Sequence, residues 1–156
     1  MWCEVMEKVD FKKELKEFYR PSAKKPVIVD VPPMNFLMID GRGDPNTSQE
    51  YQGALEALYS VSYTLKFMLK KAGIMNYIVM PLEGLWWLEG EKEFDMTRKD
   101  DWKWTSMIMQ PPQVNSNHVA ESIELSIEKK DNPAHSNLRF TDYHEGLSVQ
   151  ILHIGP

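Results

Sequence analysis

The chain has 156 residues, 42% of them hydrophobic, which fits one domain able to bury a core of its own. A formal net charge of −5 argues against a polyanion-binding surface, since Lys12-Lys13, Lys24-Lys25 and Lys70-Lys71 are isolated pairs suited to solvated helix faces or ends. A single cysteine, Cys3, excludes an internal disulfide framework and a cysteine-rich metal site; with no apolar run of roughly 20 residues and no secretory signal at Met1-Trp2-Cys3-Glu4-Val5, the expectation is a cytoplasmic protein without a membrane partner.

In chain order, residues from about Glu4 to Tyr19 carry Phe11, Leu15 and Phe18 at helical spacing, which predicts one short amphipathic helix stopped before Pro21. Pro21 to Pro26 reads as linker, so residues 1–26 form an N-terminal helix and linker ahead of a domain over 27–156. Val27 to Val31 is a β-branched run, and Met34 to Asp40 reads as a buried strand closed by Gly41-Arg42-Gly43-Asp44-Pro45. A long helix follows, with Thr47-x-x-Glu50 as its expected capping box and Gly73 as its stop. Tyr51, Leu55, Leu58, Ser62, Leu65 and Met68 form its apolar stripe, with Tyr59, Tyr63 and Phe67 as a second stripe beside it. One strand is then expected from Tyr77 to Leu88, and another over Trp102 to Met109, with a charged connection between them. A third helix is predicted from about Asn117 to Lys130, then a short strand at Leu138 to Phe140, a turn at Glu145-Gly146 and a last strand from Leu147 to Ile154. The reading is α+β: one strand-helix-strand-strand unit with antiparallel sheet, and the opening strand of another.

The residue that asks for chemistry is Glu83, an acid in the apolar run Tyr77-Ile78-Val79-Met80-Pro81-Leu82-Glu83-Gly84-Leu85-Trp86-Trp87. Burying a carboxylate there is costly unless it is satisfied, and four readings stay open. Aromatic faces around it would make a cation pocket; desolvation would make it a general acid or base; it could pair structurally at a sheet edge; or the tryptophans could mark a protein interface. Ten methionines and five tryptophans suit a ligand cavity and an ordinary core equally. Tyr51, Tyr59 and Tyr63 are candidate pocket hydroxyls or plain amphipathic packing. His118, His135, His144 and His153 lack metal-ligand spacing, and neither a metal nor a cofactor is expected. His153 stands apart because a strand would place it inward with Val149 and Ile151. Gly41-Arg42-Gly43 lacks the context of a dinucleotide fingerprint, and no nucleophile elbow or helix-turn-helix pattern is recognisable.

Several stretches together resemble the GyrI-like small-molecule-binding proteins. They are Val29-Asp30-Val31-Pro32 with Phe36 to Gly41, Tyr51 through Lys66, Met80 to Trp87, Trp102-Lys103-Trp104, and Gln150 to Pro156. The Pro-Leu-Glu-Gly-Leu-Trp-Trp string resembles a stand-alone subgroup, distinct from the sensing domains of multidrug-responsive regulators. The resemblance implies two strand-helix-strand-strand modules about a pseudo-twofold, with a cleft between helices and curved sheet. It implies binding of aromatic or cationic drugs, and some stand-alone members are similar to hydrolases that add water to the strained cyclopropane of DNA-alkylating natural products. Glu83 would then be the pocket carboxylate, and Trp86, Trp87, Trp102 and Trp104 its walls. Trp86 and Trp87 point to opposite faces of a strand, so both line one cavity only if the strand bends. Family chains continue past Ile154-Gly155-Pro156, which predicts an incomplete second module here, with an uncovered apolar face that favours homo-oligomers or poor solubility. The expected function is binding of a planar or cationic aromatic small molecule, with hydrolysis and a protein-interaction role as competing classes.

Overall fold

The run Phe36 to Ile39 is buried on both faces of its strand, so that strand must lie between two layers. It is the centre of a four-stranded antiparallel sheet in the structure, a computed structural model that describes residues 5–155. Strand β3, Met34–Arg42, pairs with β6, Lys103–Gln110, on one side and with β7, Arg139–Tyr143, on the other. Strand β5, Leu82–Trp87, extends the sheet beyond β6, giving the order β5-β6-β3-β7. Strands β2, Val27–Val31, and β8, Gly146–Gln150, form a separate antiparallel ribbon, and β1, Lys8–Val9, makes a short parallel pair with β4, Asn76–Tyr77. The architecture is α+β, as the sequence predicts.

One face of the sheet is covered by α3, Gln49–Lys71, which buries Ala54, Leu58, Val61, Leu65 and Leu69. Helix α4, Ser116–Lys129, packs on α3 through small hydroxyl residues: Thr64 and Ser126 hydroxyls lie 3.3 Å apart, and Ser122 donates to the Met68 sulfur. The expected stripe is therefore displaced around the cylinder, and Tyr59, Tyr63 and Phe67 are exposed. The expected capping box is also displaced. Ser48 caps α3 by accepting from the Tyr51 N–H, whereas a reciprocal capping box joins Asn115 and His118 at the start of α4. Gly73, with φ of 71°, ends α3 in the left-handed region as expected.

Three other boundaries differ from expectation for local reasons. The N-terminal helix is two single turns, α1 at Phe11–Glu14 and α2 at Lys16–Tyr19, broken at Leu15, whose ψ of 36° leaves the helical range. The Tyr77 to Leu88 strand is interrupted before Pro81, which has no N–H to give to a ladder. Strand β8 stops at Gln150 because its partner begins at Val27, after Pro26. Cys3, the Glu4 start of the first helix and the closing Pro156 lie outside the described residues.

The second face of the sheet carries Phe36, Met38, Met107 and Met109, all nearly inaccessible. The ribbon lies over it with Val29 and Val31 turned inward, and the N-terminal turns close its other end through Phe11 and Leu15. The ribbon's outer face, Ile28, Leu147 and Val149, is 70%, 79% and 69% exposed.

Candidate functional site

Period two and the strand register decide where Glu83 points. It is paired with Met107, so it shares the ribbon-covered face with Met38, while Trp86 is paired with Trp104 on the helix-covered face. Glu83 is half-buried at the edge of a cavity of about 170 Å³ bounded by Phe18, Tyr19, Val29, Val31 and the ribbon's Ser148 and Gln150. The Tyr19 hydroxyl donates to Glu83 Oε2 at 2.9 Å. Glu145 reaches the same cavity from the corner where the chain leaves the sheet for the ribbon, a corner turned by Gly146 at φ of 73°.

These neighbours oppose one another electrostatically. Desolvation lifts the Glu83 pKa above its ordinary value, the Tyr19 hydrogen bond pulls it down, and the negative charge of Glu145 lifts it again. The net direction is upward, so burial and the neighbouring acid together disfavour the charged form. Tyr19 itself is pushed far above the ordinary phenol range by burial, then by the charge of Glu83, so it remains a protonated donor.

The tryptophans expected as walls are arranged otherwise. Tyr51, Trp86, Trp104 and Trp102 form a chain of ring contacts, with centroids 5.7 Å apart for Tyr51–Trp86, 5.0 Å for Tyr51–Trp104 and 5.7 Å for Trp86–Trp102. Phe94 closes on Trp102 at 4.7 Å, and the Trp102 indole N–H donates to the Asp95 carbonyl. Glycines make room for the indoles: a Cβ at Gly41 would enter the Trp104 ring, and one at Gly84 would stand 2.6 Å from Trp86 Nε1. Trp104 has no accessible surface, so it packs the domain and does not line the Glu83 cavity. Trp87 alone among the expected walls shares the face of Glu83, and it is 40% exposed. Tyr59 and Tyr63 are exposed on α3, and His153 lies past the end of β8, exposed instead of turned inward. None of the three lines the Glu83 cavity.

The sheet thus carries one long helix on one face and, on the other, an acid in an aromatic-flanked edge strand. The GyrI-like small molecule binding domain matches residues 24–156. The chain belongs to the GyrI-like family. A conserved, uncharacterized protein from Listeria innocua is 42% identical with a TM-score of 0.88, over 96% of this chain and 73% of that one. A structure described as a hydrolase from the same organism is 42% identical with a TM-score of 0.85 at the same coverage. A further Listeria innocua hydrolase structure is 40% identical with a TM-score of 0.81, over 96% of this chain and 75% of that one. No curated protein matches the chain.

Two neighbours of Glu83, Tyr19 and Glu145, are not apparent as such from the sequence. Tyr19 lies 64 residues from Glu83 and ahead of the span matched to the family; its only local signal was a place on an apolar helical stripe beside Phe18. Glu145 reads in sequence as a turn residue before a glycine, and only the path from sheet to ribbon turns it toward another acid.

Proposed function

We propose that this GyrI-like domain binds planar aromatic cations in the cytoplasm, with Glu83 as the carboxylate that pairs with the positive charge. The observation that carries the reading is Glu83 itself: a half-buried acid with a raised pKa on a cavity, opposed by Glu145 and paired with no basic side chain among the cavity's described residues. A cation restores the balance that desolvation and like charge remove. Trp87 stands four residues along the same face, roughly 13 Å of extended strand, so a fused-ring ligand leaving Glu83 along β5 passes Leu85 and reaches that indole. Tyr51, Trp86, Trp102 and Trp104 then support the strand from behind as packing. In the same reading β8 opens a second strand-helix-strand-strand module about a pseudo-twofold axis.

The test compares ethidium with an uncharged phenanthrene of similar size by calorimetry. Glu83→Gln should weaken ethidium far more than the neutral ring. Equal loss of both would remove charge pairing from the account.

A second reading is favoured by the two hydrolase neighbours at 42% and 40% identity. Here Glu83 takes a proton from water as its oxygen attacks a strained cyclopropane carbon, the ring bond's electron pair passes into the conjugated system, and a proton ends there. Turnover of a cyclopropane-bearing alkylator that vanishes in a folded Glu83→Gln variant would support it. Binding without turnover by the intact protein would reject it.

A further inference from the structure

Resting on the reading of Glu83 as the pocket carboxylate, we propose that Tyr19 is its positioning residue: the hydroxyl holds Oε2, leaves the other oxygen for the ligand, and makes the N-terminal turns a working part of the site. These turns lie ahead of residue 24, where the match to the family begins.

The geometry is built. On one side of Tyr19 the Glu17 carbonyl accepts from the Gln150 side-chain amide at 2.6 Å, and on the other the Ser22 carbonyl accepts from the Leu152 N–H at 3.0 Å. Both anchors belong to β8 or the residues just after it, and β8 also leads out of the corner that bears Glu145. Farther back, Phe11 is buried in the core and β1 pairs with β4. Tyr19 is thus fastened before and behind, with Phe18 beside it against the same cavity. A hydroxyl held this way does not have to be recruited when a ligand arrives, which is what preorganisation requires.

Its effect on Glu83 has a definite sign. The titratable groups that face Glu83 are Tyr19 from α2 and Glu145 from the corner before β8. The first donates to the charged form and favours it; the second repels the charged form. Without the phenol hydroxyl, desolvation and Glu145 act unopposed.

The experiment follows the Glu83 side-chain carboxyl carbon by ¹³C NMR through a pH titration, the resonance assigned by its loss in Glu83→Gln. Tyr19→Phe, which keeps the ring, should move the Glu83 midpoint to higher pH, and Glu145→Gln should move it to lower pH. In parallel, the pH at which ethidium affinity halves should rise in Tyr19→Phe, while affinity for the neutral phenanthrene stays flat. A midpoint unmoved by Tyr19→Phe, with Glu145→Gln still lowering it, overturns the assignment. A moved midpoint upholds it, and if neither protein then binds ethidium, it is the cation-binding reading that falls.

Discussion

Trp104 and Trp87 sit on opposite faces of the same sheet, and replacing each with alanine separates packing from recognition. Trp104 has no accessible surface and is wedged between Gly41 and the Tyr51 ring. Truncating a buried aromatic of this size costs about 3–5 kcal/mol. At about 2–4 °C per kcal/mol for a chain of this length, Trp104→Ala should lower the melting midpoint by roughly 6–20 °C. Trp104 Nε1 has no hydrogen-bond partner among the described residues, so Trp104→Phe forfeits ring volume without breaking a bond seen there and should cost less than the alanine. Trp87→Ala removes a side chain that is 40% exposed and should cost clearly less stability than Trp104→Ala. Its ethidium affinity should nevertheless drop by about 2- to 13-fold, the equivalent of one aromatic ring contact of about 0.5–1.5 kcal/mol. Circular dichroism during thermal and urea unfolding reads the first quantity, and calorimetry reads the second. A Trp104→Ala protein as stable as its parent but unable to bind ethidium would refute the division of faces.

Gly41→Ala should destabilise by about 1–3 kcal/mol in urea, because its Cβ meets the Trp104 ring and lies 2.9 Å from Glu50 Oε1. Gly53→Ala, whose nearest neighbour is Asn132 Oδ1 at 3.7 Å, should instead stabilise α3 by about 0.5–1 kcal/mol. Glu83 has a folded pKa raised above its ordinary value near 4.5, so its contribution to stability is fully present below that pH and is lost as pH rises through the raised value. Glu83→Gln should therefore match the parent near pH 4 and exceed it near pH 8; the opposite trend in urea midpoints would contradict the desolvation argument. Self-association is expected through the exposed Ile28, Leu147 and Val149 face, and a Leu147→Lys, Val149→Lys protein should sediment as a smaller species than its parent at high concentration. Identical sedimentation of the two would count against that surface.

Local periodicity made α3, α4, β3 and β6 legible in sequence, since side chains repeating at 3.6 or 2 residues report one-sided burial without knowledge of the partner. The GyrI-like resemblance was legible in contiguous strings such as Pro81-Leu82-Glu83-Gly84-Leu85-Trp86-Trp87, which are read without knowledge of the fold. What stayed hidden were boundaries set by partners. The end of β8 depends on where β2 begins, and the break before β5 depends on a missing N–H at Pro81. The face of α3 that meets the sheet, which leaves Tyr59 and Tyr63 outside, is chosen by packing against β3 and β6.

The amino-acid order by itself determined the class of fold and the presence of one costly acid in an apolar strand, because those follow from short-range pattern and composition, and it carried the strings by which the chain resembles its family. Only the tertiary structure decided what that acid meets. Strand register put Glu83 and Trp86 on opposite faces, and chain path brought Tyr19 and Glu145 from 64 and 62 residues away to favour and oppose its charge. Contacts at such separation leave no local periodicity behind them, so their chemistry exists only once the chain has folded.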